Sequence, residues 1–305
     1  MLLISLLLAA LAVTPQDTRT PEAKSLLGKP LFAPAIPAER RAKMEKDLAV
    51  AQAAFDKDPS SADLAIWLGR RTAYLGRFRD AIRIFSAAIA KHPSDARLYR
   101  HRGHRYISVR EFDQAVADLS KAAELVADRS DEVEPDGQPN AKNIPTSTLK
   151  TNIYYHLGLA HYLKGEFAQA ADAYRLCMAH SKNADMQVAT AHWQYMTLRR
   201  MGRDAEAAAV LAPITGDMTV IENDSYHRLL MMCKGATAAG ALLGASTSEA
   251  LDAVTIGYGV ANWHLYHGRT EDARAILATL VDKYADTQWA GFGYIAAEAD
   301  LARMR

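Results

Sequence analysis

Cysteine is nearly missing from this 305-residue chain. Two residues, Cys177 and Cys233, cannot build a disulfide framework, so a small stapled fold is excluded. Each lies in an apolar helical pattern, which predicts separate buried thiols, although export would permit a single bridge between them. Glycine and proline are also scarce, at 17 and 11, and stand mostly at segment ends. With abundant alanine, this favours helix. Neither charge dominates: 36 basic and 35 acidic side chains give a net charge of +1, which removes the usual reason to invoke nucleic acid. The chain carries no Gly-x-Ser-x-Gly, no His-Glu-x-x-His, no Gly-rich phosphate loop and no Cys-x-x-Cys. No catalytic, cofactor-binding or metal-binding residue is therefore assigned, although a site assembled from distant segments would leave no local motif.

With half its residues apolar and 23% charged, the chain has ample material for a packed core. Leu2 to Val13 is almost unbroken apolar sequence. Its 12 residues are too few to span a bilayer, which needs about 20. Ala10-Leu11-Ala12 has the small-x-small form of a signal peptidase site. Residues 1–12 are thus expected to be a cleaved signal peptide and the protein to be periplasmic or secreted, without a transmembrane segment in the mature chain. Pro15, Pro21, Pro30, Pro34 and Pro37 crowd the next stretch, which reads as a linker over 13–37. A folded domain is expected over 38–305, opening with a helical pattern from Ala38 to Lys57 that serves as an N-terminal cap.

The domain is organised around Ala62 to Ala127, where one motif is written twice. Gly69 recurs as Gly103, Phe78 as Phe112, Ala81 as Ala115 and Ala88 as Ala122, each 34 positions on, and Pro59 recurs as Pro93. A fixed period of this size means stacked helix pairs, because one pair cannot bury its own apolar face. The pattern resembles the tetratricopeptide repeat (TPR), with its Trp-x2-Leu-Gly-x2-Tyr followed by Ala, Phe, Ala and Pro at set offsets. Ala65 and Thr72 replace the Trp and Tyr of the first repeat; Arg102, Arg110 and Ala127 replace Leu, Gly and Pro of the second. Further matches start at Thr151, with Leu157-Gly158 and Tyr174; at Val188, with Gly202 and Ala207; and at Val254, with Gly268 and Ala273. The resemblance implies an all-α fold, a right-handed α-solenoid of stacked hairpins. About five repeats, a degenerate pair within Thr215 to Ser248 and terminal cap helices are expected, the last cap running from Thr287 to Met304.

A helix turns about 100° per residue. Positions two, five, nine, twelve and thirteen of each first helix therefore cluster on a face separate from the core positions. In TPR proteins, the resemblance implies, that face lines a concave peptide groove. Here it would carry Arg70, Tyr74, Arg97, Arg100, His104, Tyr155, Tyr162, His192, Arg199, Arg200, Tyr258, Asn262 and Tyr266, with Asp63 as its acid. Guanidinium groups bind carboxylates bidentately, and tyrosine offers rigid area with a polar tip. The residues predict a non-catalytic scaffold in the cell envelope that holds an extended, anionic protein or peptide segment. The same side chains could instead be solvated arginines and packed tyrosines. Two other functions stay open: an assembly factor acting by its convex face or by self-association, and an enzyme or binder acting on anionic envelope polymers. A pocket gathering a carboxylate and a histidine from different repeats would favour the last.

One insertion, 128–150, interrupts the repeats with Asp128, Asp131, Glu132, Glu134 and Asp136. It reads either as a solvated loop or as a segment that partly occupies the groove and competes with an acidic ligand. Glu132, Glu134, Asp136, Gly137 and Asn140 echo a calcium loop, but Pro139 intrudes and Asn143 stands where a bidentate Glu is needed. Among ten histidines, His101 with His104 and His264 with His267 share helix faces without an obvious third ligand, so packing or surface roles are expected.

Overall fold

The computed structural model describes residues 20–244 and 249–305. The segment read as a signal peptide, 1–12, lies outside the described residues.

Helix α1 (Ala38–Lys57) is followed by six hairpins. These are α2 (Ala62–Tyr74) with α3 (Phe78–Lys91), α4 (Ala96–Ser108) with α5 (Phe112–Val126), and α6 (Leu149–Lys164) with α7 (Phe167–His180). They continue with α8 (Ala184–Arg200) and α9 (Asp204–Leu211), α10 (Asp224–Cys233) and α11 (Ala239–Gly244), and α12 (Ala250–Tyr266) and α13 (Thr270–Lys283). Helix α14 (Phe292–Arg303) ends the fold. Side-chain caps open several first helices: the Ser61, Thr148 and Asn183 side chains each accept from a backbone N–H of the first turn. The shared glycines let paired helices touch. A Cβ at Gly158 would lie 2.7 Å from the Tyr174 ring, so the position tolerates no side chain. The expected degenerate pair is α10 with the short α11, and α9 is likewise truncated to 8 residues. The chain is an all-α solenoid of stacked helical hairpins.

Two expectations fail, and for one reason. The segment expected as a linker is ordered from residue 20 and belongs to the folded unit. It forms an antiparallel two-stranded turn, β1 (Ala23–Lys24) with β2 (Pro30–Leu31), whose Ala23 and Leu31 are buried. The segment expected as an end cap does not merely cover the last hairpin. Helix α14 is buried continuously from Gly293 to Asp300, and it packs on α6 as well as on α12 and α13. A helix buried on every side belongs to a core, not to a rim. It lies against the first helices α6, α8 and α12 of the C-terminal repeats, and the N-terminal segment closes over the same junction. The Trp289 indole N–H donates to Phe32 O at 2.7 Å, and Ala35 N donates to Asp286 O at 2.8 Å.

Arg110 secures this junction. It occupies the left-handed turn position (φ 68°) that Gly76, Gly202 and Gly268 fill elsewhere, a conformation costly for any residue with a Cβ. In return, its guanidinium reaches Glu298 of α14 at 2.9 Å, Ser108 O at 2.6 Å and Trp289 O at 2.7 Å, and it stacks over the Trp289 ring. Both charged side chains are almost fully buried, at 3% and 1% exposure.

Removing one partner of a buried pair strands the other charge, at a cost of about 3–5 kcal/mol. Glu298→Ala is expected to destabilise by that amount in urea unfolding. Arg110→Gly is expected to cost about 1 kcal/mol less than Arg110→Ala, because glycine relieves the left-handed backbone. A Glu298→Ala variant within 1 kcal/mol of wild type would show that α14 is not held through this pair.

Candidate functional site

The inner-face positions are divided by α14. Towards the C-terminus they have become core. Tyr162, Tyr258 and Asn262 are 0%, 1% and 0% exposed, and His192 and Tyr155 are also buried. Tyr162 and Tyr258 share a hydroxyl–hydroxyl hydrogen bond of 2.7 Å, Asn262 donates to Tyr162, and Tyr258 donates to Asp300 of α14 at 2.9 Å. Arg200 and Arg303 hold the same Asp300 at 3.0 and 2.7 Å. His192 stacks on Tyr226 at 4.6 Å, and Tyr155 packs near Phe292. These six residues therefore do not line an accessible groove: α14 meets Tyr258, Arg200 and Tyr155, and Tyr226 of α10 covers His192.

Three others are engaged elsewhere. Arg97 is paired with Asp63 and Asp95 at 2.7 and 2.6 Å, which neutralises it. Arg199 pairs with Asp204 across the α8–α9 turn and lies over the ring of Tyr266 from α12 at 4.3 Å, so each occupies the other.

The remaining four converge. Arg70 and Tyr74 on α2 and Arg100 and His104 on α4 line a cavity of about 260 Å³. Arg105, one position outside the inner-face set, reaches the cavity by its long side chain. The sequence pattern missed it because a face counted in 100° steps ignores the reach of a four-atom stem. The insertion 128–150 lies across the opening. Its base is fixed by the Val133–Thr148 bridge and by Asp131, which accepts from Thr148 Oγ1 at 2.7 Å. Beyond that base it folds inward. Glu134, 9% exposed, meets the Arg100 Nε at 3.0 Å and accepts from Asn152 Nδ2 at 3.1 Å. Arg71 donates to Gly137 O at 2.9 Å. The calcium-loop echo is not formed: Glu134 turns to a cation of the protein, while Asp136 and Asn140 accept from the backbone N–H of Gln138 and Lys142.

The charges of the cavity are incompletely matched. Glu134 answers Arg100. Arg70 donates to Tyr74 Oη, at 3.4 Å, and lies over Trp67, while Arg105 rests against the Phe78 ring. Among the described residues neither has a carboxylate partner. Burial, uncompensated by an anion, pulls the Arg105 guanidinium down to about 9, still charged at neutral pH. Burial first, and the neighbouring arginines second, hold His101, His104 and His156 well below the usual imidazole range, so this wall is neutral. His104 and His156 pack at 4.3 Å and both meet Phe292 at the start of α14. A second cleft of about 460 Å³ adjoins the first, shares His104 and Glu222 with it, and is lined also by Tyr226, Asp252 and Phe292.

The other motifs resolve simply. His264 accepts from Arg269, and His267 lies within hydrogen-bond distance of Trp263 O. No group of three metal-ligating side chains occurs among the described residues. Cys177 and Cys233 are unpaired, and burial pushes the Cys177 thiol up to about 12.

The buried imidazoles carry a pH signature. Unfolded histidine takes up a proton below about pH 6.5, whereas these folded ones resist it, so stability is full above that pH and lost as pH falls. Each histidine that stays neutral contributes a loss of about 1.4 kcal/mol between pH 7.5 and 5.5. His192, lowered to about 3 by burial, belongs to the same set. The urea midpoint is expected to fall over this range, and His192→Gln is expected to flatten the slope. A midpoint independent of pH would refute the neutral burial of these rings.

No protein-family model matches the chain, and no curated protein matches it. Solved structures do. YrrB, described as a TPR protein with an unusual peptide-binding site, aligns with 79% of this chain and 95% of its own at 14% identity and a TM-score of 0.44. MamA aligns with 67% of this chain and 99% of its own at 15% identity and a TM-score of 0.44. A tetratricopeptide repeat protein from Parabacteroides merdae aligns with 85% and 93% at 11% identity and a TM-score of 0.49. The hairpin fold rests on the chain's own 34-residue spacing and interhelical contacts rather than on these likenesses.

Proposed function

We propose that this protein is a non-catalytic scaffold of the cell envelope that holds an acidic segment of a partner protein. The segment lies not along the whole inner wall but in the cleft walled by α2, α4 and the start of α6. The observation that carries this reading is the pair of guanidinium groups, Arg70 and Arg105, that line the cavity without an ion-paired carboxylate among the described residues. Uncompensated cations in a partly desolvated cleft favour an incoming carboxylate, because the desolvation of the site has already occurred on folding. The envelope location rests on the apolar run Leu2 to Val13 and its Ala10-Leu11-Ala12 end.

The cavity does bring a carboxylate and a histidine together, with His101 Nε2 3.6 Å from Glu134. Arg100 engages both groups, meeting Glu134 at 3.0 Å and His101 Nδ1 at 3.0 Å. Neither is left to exchange protons with a substrate, which favours binding over catalysis.

The test uses the full chain and a fluorescein-labelled hexaglutamate peptide, with hexaglutamine as control, in fluorescence anisotropy. A charge-assisted hydrogen bond contributes about 1.5–3 kcal/mol. Arg70→Ala with Arg105→Ala is expected to weaken hexaglutamate binding at least tenfold. Arg97→Ala and Arg199→Ala, already paired, are expected to change it less than twofold. Equal losses at both pairs, or no binding to wild type, would overturn the assignment of the cleft.

A further inference from the structure

We propose that Glu134 is a resident, exchangeable occupant of the carboxylate site: an acidic side chain of the partner takes its place on Arg100, and the loop from Glu134 to Ser147 lifts away as it does so. This deepens the reading of the cleft given above and rests on it.

Three observations converge. First, the contact is of the kind a ligand would make. Glu134 comes from an insertion, not from a repeat, and places one carboxylate against a guanidinium that is itself only 8% exposed. Second, the fixed and movable parts of the insertion are separate. The base is stitched by the Val133–Thr148 bridge, by Leu149 N donating to Glu132 O and by Asp131. The span inside it touches the wall through polar contacts: Glu134 with Arg100 and Asn152, Gly137 with Arg71, Gln138 with Arg40, Thr146 with Glu222 and Asn183, and Ser147 with Asn152. Ile144 is half exposed, and Lys142 is exposed, so no apolar core holds this span in place. Third, two of the three guanidinium groups of the site are not ion-paired. Arg70 and Arg105 stand beside Arg100 with no carboxylate in ion-pair contact among the described residues, while Asp136 and Glu222, which also line the cavity, hydrogen-bond to Gln138 N and to Thr146 instead.

These features define an exchange rather than an opening. Lifting the loop alone would leave Arg100 buried without a partner, which is strongly unfavourable. An incoming segment with two or more carboxylates can replace Glu134 on Arg100 and answer Arg70 or Arg105 as well. The loop therefore excludes weakly charged segments and yields to strongly acidic ones, and the occupant sets a threshold of charge.

The experiment compares wild type with Glu134→Gln, which keeps the shape and the Asn152 hydrogen bond but removes the charge. Hexaglutamate is expected to bind Glu134→Gln about tenfold more tightly than wild type, with hexaglutamine unchanged. In parallel, wild type is digested with trypsin, and cleavage after Lys142 is followed. Hexaglutamate is expected to raise that rate severalfold and hexaglutamine to leave it constant. This second arm needs no variant to fold. If hexaglutamate binds wild type and depends on Arg70 and Arg105, yet neither the affinity of Glu134→Gln nor the cleavage at Lys142 changes, the exchange is refuted while the cleft remains the binding site. If hexaglutamate binds neither protein, both readings fall together.

Discussion

The buried pair of Arg110 and Glu298 is the constraint on which the rest of the molecule depends. A charge pair removed from water is favourable only if its geometry is good and its remaining hydrogen-bonding groups find partners. Here the guanidinium also donates to Ser108 O and Trp289 O, and Glu298 Oε2 also accepts from Leu26 N at 3.4 Å, while Glu298 Oε1 is buried without a partner among the described residues. One contact thus joins the second repeat, the N-terminal turn and the last helix. A stack of hairpins contacts only its neighbours in sequence. This junction instead ties elements nearly 190 residues apart, and it commits α14 to the interior.

With α14 in place, the inner wall has two fates. Its C-terminal half becomes core, and the way it does so is instructive. Asp300 enters between Arg200 and Arg303 and accepts from Tyr258, so the basic, tyrosine-rich chemistry of the wall receives an acidic helix that the chain itself provides. The N-terminal half has no such helix. There the insertion offers a single buried carboxylate, Glu134, against a wall that carries Arg70, Arg100 and Arg105. The same chemistry is satisfied in one half and left partly unsatisfied in the other, and that difference is the ground for the proposed ligand site.

Much of the fold was legible because it is local. The recurrence of Gly69, Phe78, Ala81 and Ala88 records contacts within one hairpin, and such contacts repeat wherever the spacing does. The two ends were misread because their partners are remote. Pro30 and Pro34 signal a linker when read alone, and partners far along the chain, among them Arg79, Asp286, Trp289 and Glu298, hold that segment down. The segment from Trp289 to Met304 is amphipathic enough for an end cap, and nothing in it announces that both faces are covered. The site shows the same division. Arg70 and Arg100 were visible by helical position, but Arg105 entered by side-chain reach and Glu134 by the path of a loop.

The sequence by itself determined that this chain stacks helix pairs and that their inner positions are rich in arginine and tyrosine, since both follow from short-range periodicity. Only the tertiary structure decided which of those positions face solvent. That choice depends on where a final helix comes to rest, and its resting place is set by a left-handed arginine and a glutamate that meet only when the whole solenoid has closed.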